Sequence, residues 1–358
     1  MQTNHEIICG DSRNLKFIEN ESIDLIVTSP PYPMIEMWDV IFSEMNEEIG
    51  KEIEGGNGIK AFELMNKELD KVWEEIGRVV KKGGIVCINI GDAVRTINEK
   101  FQLYSNHSVI IKKFLEMRFE NIPNIIWRKQ TNAPNKYMGS GMYPVGAYVT
   151  LEHEYILLFR KGDRRKFNNK DKEIRQESAF FWEERNMWFS DVWEFKGIKQ
   201  KLNNSASRER SGAYPLELAL RLIAMYSIKG DKVLDPFLGT GTTTDAAILL
   251  GRNSIGIEKD QHFVETMKRK NYQSLQNSYN EVISERIKKH IKYVNESKTD
   301  KAAEFKYISE YYGFEIKTKQ EKKIKFDFIE KIKMSGGTIT VEYNNNPTFL
   351  KNEKETLF

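Results

Sequence analysis

Val233-Leu234-Asp235-Pro236-Phe237-Leu238-Gly239-Thr240-Gly241-Thr242 (VLDPFLGTGT) is an apolar run that turns, through a proline and two glycines, into a helical pattern from Thr243 to Leu250. Glycines at such a junction let a bound group approach the backbone at a helix start, and the Asp235 carboxylate can accept from an ammonium. The next apolar run, Ser254-Ile255-Gly256-Ile257, ends in Glu258, where a carboxylate can take both hydroxyls of a ribose. Strand, glycine turn, helix, strand and carboxylate, in that order, point to an α/β sheet whose ligands gather at the carboxyl ends of its strands.

The same alternation runs through the rest of the chain. Glu6-Ile7-Ile8-Cys9 ends in Gly10-Asp11, Ser22 to Val27 ends in Thr28-Ser29-Pro30-Pro31-Tyr32 (TSPPY), and Gly84 to Ile90 ends in Gly91-Asp92. Leu64, Leu69, Val72, Trp73, Ile76 and Val80 recur at helical spacing between the last two, which predicts a crossover helix ending at Lys82-Gly83-Gly84. Asn124 to Trp127 and His153 to Phe159 flank a loop from Thr131 to Ala147, and a helix follows Pro215 through Ala224. With Lys232 to Leu234 and Ser254 to Ile257, seven strand-like runs predict a doubly wound, Rossmann-like seven-stranded sheet.

Residues 159–210 break the pattern with charge and aromatics, and they read as an insertion outside the sheet. From about Glu281 the chain is rich in lysine and glutamate, with an amphipathic helix expected at Phe326 to Ile332 and a strand at Thr338 to Tyr343. The expected division is 1–158, 159–210, 211–280 and a small α/β appendage at 281–358.

Composition narrows the function classes. With 358 residues and 40% apolar content, the chain can bury one substantial core plus an appendage. Lysine plus arginine, 55, barely exceed aspartate plus glutamate, 52, so polyanion contacts must come from local clusters. Arg164-Arg165-Lys166 and Arg208 with Arg210 are such clusters, interleaved with aromatics and able to meet phosphates, although charge runs also serve as solvated surface. Cys9 and Cys87 lie in apolar runs, as expected of buried thiols in a reducing compartment. His5, His107, His153, His262 and His290 show no metal-ligand spacing, so no metal is expected. No leader pattern or bilayer-length run is present, so a cytoplasmic chain without membrane contact is expected.

Two motifs then complement each other. Pro30 and Pro31 lack amide hydrogens and have restricted φ, leaving a stiff turn in which the Ser29 hydroxyl and the Pro30 carbonyl can accept from an exocyclic amine. Tyr32 offers a ring on which a base can stack, as a flipped base requires. Alone, these residues would equally well end a strand. The glycine loop supplies the partner: an ammonium acceptor, a close backbone approach and a ribose carboxylate suit S-adenosylmethionine. A nicotinamide or flavin site is disfavoured because Thr244 stands where the third glycine of GxGxxG would be. Asp11 is placed to accept from an adenine amino group, or equally to cap the turn before Ser12-Arg13-Asn14.

With both motifs in view, the chain resembles the β-class, circularly permuted, amino-methylating DNA methyltransferases. The resemblance runs from about Glu6 to about Lys270 through TSPPY, Ile125-Ile126-Trp127-Arg128-Lys129, Leu151-Glu152-His153-Glu154-Tyr155-Ile156-Leu157, Ala213-Tyr214-Pro215, VLDPFLGTGTT and Gly251 to Glu258. It implies S-adenosylmethionine contacts at Asp11, Asp235, Phe237, Gly239, Thr240, Gly241 and Glu258, with catalysis at Ser29, Pro30, Pro31 and Tyr32. It also implies double-stranded DNA as substrate and a restriction endonuclease as a possible partner. Serine at the first position of the turn favours N4 of cytosine over N6 of adenine in that family. Alternatives are an adenine-N6 enzyme, an RNA or protein-glutamine methyltransferase, which use an Asn-Pro-Pro-Tyr turn, and a non-catalytic DNA-binding subunit.

Overall fold

The computed structural model describes residues 1–129, 142–146, 148–197, 214–297 and 305–344. Its strands, in chain order, are β1 (Gln2–Cys9), β2 (Ile23–Thr28), β3 (Val80–Ile90), β4 (Ala93–Ile97), β5 (Lys100–Tyr104), β6 (Phe119–Arg128), β7 (His153–Lys161), β8 (Val192–Glu194), β9 (Lys232–Asp235), β10 (Asn253–Glu258), β11 (Tyr307–Ile308), β12 (Glu315–Ile316), β13 (Phe328–Ser335) and β14 (Thr338–Asn344). One mixed sheet runs β13-β14-β1-β10-β9-β2-β3-β7-β6-β8. Its centre, from β1 to β3, is parallel, and β7 and β14 turn it antiparallel on either side.

Helices cover both faces, and alternation along the strands shows why. Leu25 and Val27 of β2 join a core cluster with Leu218, Leu222 and Ala246, from helices Leu216–Tyr226 and Thr242–Leu249. Ile26 between them joins the opposite cluster with Leu69, Val72 and Trp73 of the helix Gly58–Val79. A period of two along the strand thus feeds two separate cores, and the central strands read as continuous apolar runs.

All seven expected runs are strands of this sheet, but the sheet has ten strands among the described residues. The insertion contributes β8, which pairs with β6 in parallel, so it is not wholly outside the sheet. The segment expected to form a helix near Phe326 to Ile332 is instead β13. A register shift between Ile329 and Lys331 breaks its alternation, so Phe328, Ile329 and Ile332 are all buried at a spacing that imitates a helix face. β14 lies against β1, so the C-terminal ribbon extends the main sheet. Glu281 falls inside the helix Tyr272–Ser297. The crossover helix ends at Val79 and passes directly into β3, which contains Lys82-Gly83-Gly84. Cys87 is buried as expected, but Cys9 is exposed: it continues the inward phase of Thr3, His5 and Ile7, yet it is the last residue of β1, where the strand leaves the core. Among the described residues, no helix is long and apolar enough to cross a membrane.

Candidate active site

Four parallel strands end on one rim and deliver the sequence motifs there: β1 into Gly10-Asp11, β2 into TSPPY, β9 into Asp235-Pro236-Phe237, and β10 into Glu258. They line a single cavity of about 740 Å³ with Ser29, Pro30, Pro31, Tyr32, Phe237, Gly239, Thr240 and Lys129. The two motifs singled out in the sequence therefore face each other across one space, of a size usual for cofactor sites.

Asp235 is the junction. It is buried, and its carboxylate accepts from Thr28 Oγ1 at 2.6 Å, Thr243 Oγ1 at 2.5 Å, Tyr214 Oη at 3.2 Å and the Phe237 amide at 3.0 Å. Burial pushes its pKa up, and these hydrogen bonds partly counter that. Four protein donors hold the carboxylate expected to meet an ammonium, and it lines the cavity while bracing the proline turn against the glycine loop.

The glycine loop and its following strand form the cofactor half. Gly239 has φ +53°, and the space where a Cβ would sit is open, so ligand atoms can reach the main chain there. Gly241, at φ +88°, precedes the helix Thr242–Leu249 and shapes the turn. Glu258 accepts the Gly239 amide at 2.8 Å on one oxygen and the Asp260 amide at 2.9 Å on the other. Burial raises its pKa, while these amide bonds lower it. Each oxygen keeps a lone pair, which suits a vicinal diol. Open main chain at Gly239 and this diol acceptor fit the nucleoside part of S-adenosylmethionine. Asp11 also lines the cavity, gripped by Arg13, whose other arm meets Glu68 at 2.6 Å. Burial pushes the Asp11 carboxyl up, but the hydrogen bonds and charge of Arg13 outweigh it and leave the group below its ordinary value.

The target half contains residues that the sequence reading does not assign. Tyr32 Oη accepts from Ser29 Oγ at 3.1 Å and from Asn89 Nδ2 at 2.8 Å, and donates to Glu154 Oε2 at 3.0 Å. Lys129 pairs with the other oxygen of Glu154. Glu154 and Lys129 lie in stretches quoted for the resemblance, yet they meet only because β3, β7 and β6 pair side by side. Adjacent Gly91 packs closely on this group: a Cβ there would stand 3.0 Å from the Tyr32 ring, so the ring would have to give by a few tenths of an ångström.

The proposed phosphate contacts lie elsewhere. Arg165 pairs with Asp231 at 2.6 Å and Asp24 at 3.6 Å, residues at the amino ends of β9 and β2, on the rim opposite the cavity. Arg164 and Lys166 flank it in the same exposed segment. Arg208 and Arg210 lie outside the described residues. The described insertion returns to the cavity at Gly197, and Tyr214 lines it just beyond. His290, with no spacing signal, nevertheless meets Glu183 and Glu321, with ligand-type atoms within 4.8 Å of one another. Protein donors engage that cluster: His290 bonds Glu183 at 2.8 Å, and Glu321 accepts from Trp182 and Thr318 backbone amides.

Comparison with known proteins agrees with this geometry. A family model described as DNA methylase, of N6 and N4 type, matches residues 23–269. Type II methyltransferase M.MthZI of Methanothermobacter thermautotrophicus is 50% identical over 328 residues, 91% of this chain and 90% of that protein. Type II methyltransferase M.MjaI of Methanocaldococcus jannaschii is 52% identical over 270 residues, covering 72% and 88%. The crystal structure of TTHA0409 from Thermus thermophilus, complexed with S-adenosyl-L-methionine, aligns with TM-score 0.58 at 30% identity over 74% of this chain and 91% of that one. The cytosine-N4-specific PvuII DNA methyltransferase shares the fold, with TM-score 0.52 at 18% identity over 78% and 92% of the two chains.

Proposed function

This chain belongs to the N6/N4 DNA methylase family and uses S-adenosylmethionine, and from that premise we propose that it methylates N4 of cytosine at a specific site in duplex DNA. We place it in the cytoplasm as the modification partner of a restriction endonuclease, a reading supported by the Type II names of its relatives. Ser29 at the head of the proline turn supports cytosine.

One observation carries the mechanism: the proline turn and the glycine loop line one cavity and are joined through Thr28 and Asp235. When bound, S-adenosylmethionine supplies an electrophilic methyl group on a sulfonium. Glu258 and the Gly239 main chain hold the nucleoside, with Asp11 beside them. Ser29 Oγ and the Pro30 carbonyl orient the target amine, and the Tyr32 ring stacks on the flipped base. Transfer is a direct displacement without a covalent enzyme adduct. Cys87 is buried in the sheet, and burial pushes its thiol well above the ordinary range. The described part of the insertion suited to meet DNA is the one that reaches the cavity, at Gly197.

Nucleoside mass spectrometry after reaction with labelled methyl donor tests the reading. Label in N4-methylcytosine is the expected result. Label in N6-methyladenine overturns the base assignment, label confined to RNA or protein overturns the DNA substrate, and no label returns the chain to a binding subunit.

A further inference from the structure

We propose that Glu154 receives the proton released by methyl transfer, relayed from the target amine through the hydroxyls of Ser29 and Tyr32. This rests on the amine-methylating reading above and adds an exit for the proton.

Counting hydrogens fixes the direction of the chain. A carboxylate facing the Lys129 ammonium accepts only, so the Asn89 amide beside it must present its NH₂ group. That group donates to Glu154 Oε2 at 2.7 Å and to Tyr32 Oη at 2.8 Å. Tyr32 has one hydroxyl hydrogen, and it lies toward Glu154 Oε2. Its oxygen accepts from Asn89, so the remaining hydrogen bond must come from Ser29 Oγ. Ser29 thereby commits its hydrogen to Tyr32 and leaves its lone pairs for an incoming amine. Holding Asn89 this way has a cost: its Oδ1 is buried without a hydrogen-bond partner, a feature seldom kept without a use.

Atoms and charge balance through this chain. The amine nitrogen uses its lone pair to form the N–C bond, while the S–C pair stays on sulfur and leaves a neutral thioether. The nitrogen is then cationic with one surplus proton. That proton passes to Ser29 Oγ as the serine proton passes to Tyr32 and the tyrosine proton to Glu154. The base keeps one N–H and one N–CH₃, and Glu154 ends as a neutral acid that later loses its proton to water. Burial, followed by the Glu154 charge, holds the Tyr32 hydroxyl well above its ordinary pKa, so it conducts by exchanging protons and stays a phenol.

The test compares wild type with Tyr32→Phe, which keeps the stacking ring, and with Glu154→Gln. Expected are single-turnover rates lowered about 10²-fold in each, with the double variant no slower than either alone, as for groups acting in one proton transfer. A solvent deuterium isotope effect on the wild-type step should vanish in Tyr32→Phe, while affinities for S-adenosylmethionine and DNA stay within about threefold, below a tenfold change. A readout independent of turnover is the infrared carboxylate band removed by Glu154→Gln, which should shift in Tyr32→Phe. Wild-type-like rates in Tyr32→Phe, multiplying effects in the double variant or an unmoved band would each overturn the relay. Wild type that methylates no DNA would instead overturn the underlying function.

Discussion

Thr28 Oγ1 donates to Asp235 Oδ1 across 2.6 Å, joining residues 207 positions apart in the chain. Thr28 immediately precedes Ser29, and Asp235 ends the strand that leads into the glycine loop, so this hydrogen bond adds to the pairing of β2 with β9 in holding the two motifs together. Thr28→Val should leave a buried carboxylate one donor short. The expected loss is about 1–3 kcal/mol of stability in urea denaturation, with slower single turnover. Unchanged stability would mean that the remaining donors suffice.

Glu258→Gln keeps the carbonyl oxygen that the Gly239 amide can use but removes the charge and one diol acceptor. Affinity for S-adenosylmethionine should fall roughly 10- to 100-fold by calorimetry, as for a lost charged hydrogen bond. An unaltered affinity would exclude Glu258 from the ribose.

The two glycines of the loop should separate binding from folding. Gly239→Ala would point its methyl group into open space at φ +53°, so cofactor affinity should suffer most, with about 1 kcal/mol of backbone strain. Gly241→Ala would be strained at φ +88° and would press on the flexible end of Met267, 2.4 Å from its Cβ, so its main effect should be on thermal stability. Calorimetry paired with thermal melts of both variants checks the contrast, and equal affinity losses would sink it.

His5 supplies a pH dependence unrelated to chemistry. Its ring bonds Thr3 and Ser254 inside the sheet, and burial lowers its pKa from 6.5 to about 3. Below pH 6.5 the unfolded chain takes up a proton that the folded chain refuses, so stability is fully present above that pH. It falls by about 1.4 kcal/mol per unit as the medium is acidified toward the folded value. Denaturation at pH 7 and pH 5 should differ by about 2 kcal/mol from this source, and His5→Gln should reduce the difference.

Arg165→Met should reduce stability by about 1–3 kcal/mol, because Asp231 and Asp24 lose a shared, partly buried partner. DNA affinity of the folded variant should match wild type, since this arginine lies on the rim away from the cavity. A salt-dependent loss of DNA binding in filter assays would contradict that placement.

The central fold and both motif turns are legible in the sequence because their signals are local: a proline corner after an apolar run, or glycines before a helix. Asn89, Lys129 and Glu154 are not legible as a group, because Asn89 and Glu154 occupy ordinary strand positions, Lys129 follows directly on β6, and their meeting depends on strand order. Asp235 is legible as a residue of the cavity, but its partners Thr28 and Tyr214 are not, because they reach it through space. β13 reads as a helix because a bulge at Ile329 and Lys331 puts consecutive residues on the buried side. Arg164 to Lys166 illustrate a further limit: composition marks a basic cluster but not the end of the sheet on which it falls.

The pairing of β14 with β1 bears on how the protein can be shortened. Cutting the chain near residue 280 would strip a hydrogen-bonding edge from Gln2 to Glu6 and uncover Ile7 and Ile248, which share a core with Ile339 and Val341. Unpaired edges recruit other chains. A truncated protein should therefore collect as soluble aggregates or inclusion bodies, even though every residue lining the cavity would still be encoded.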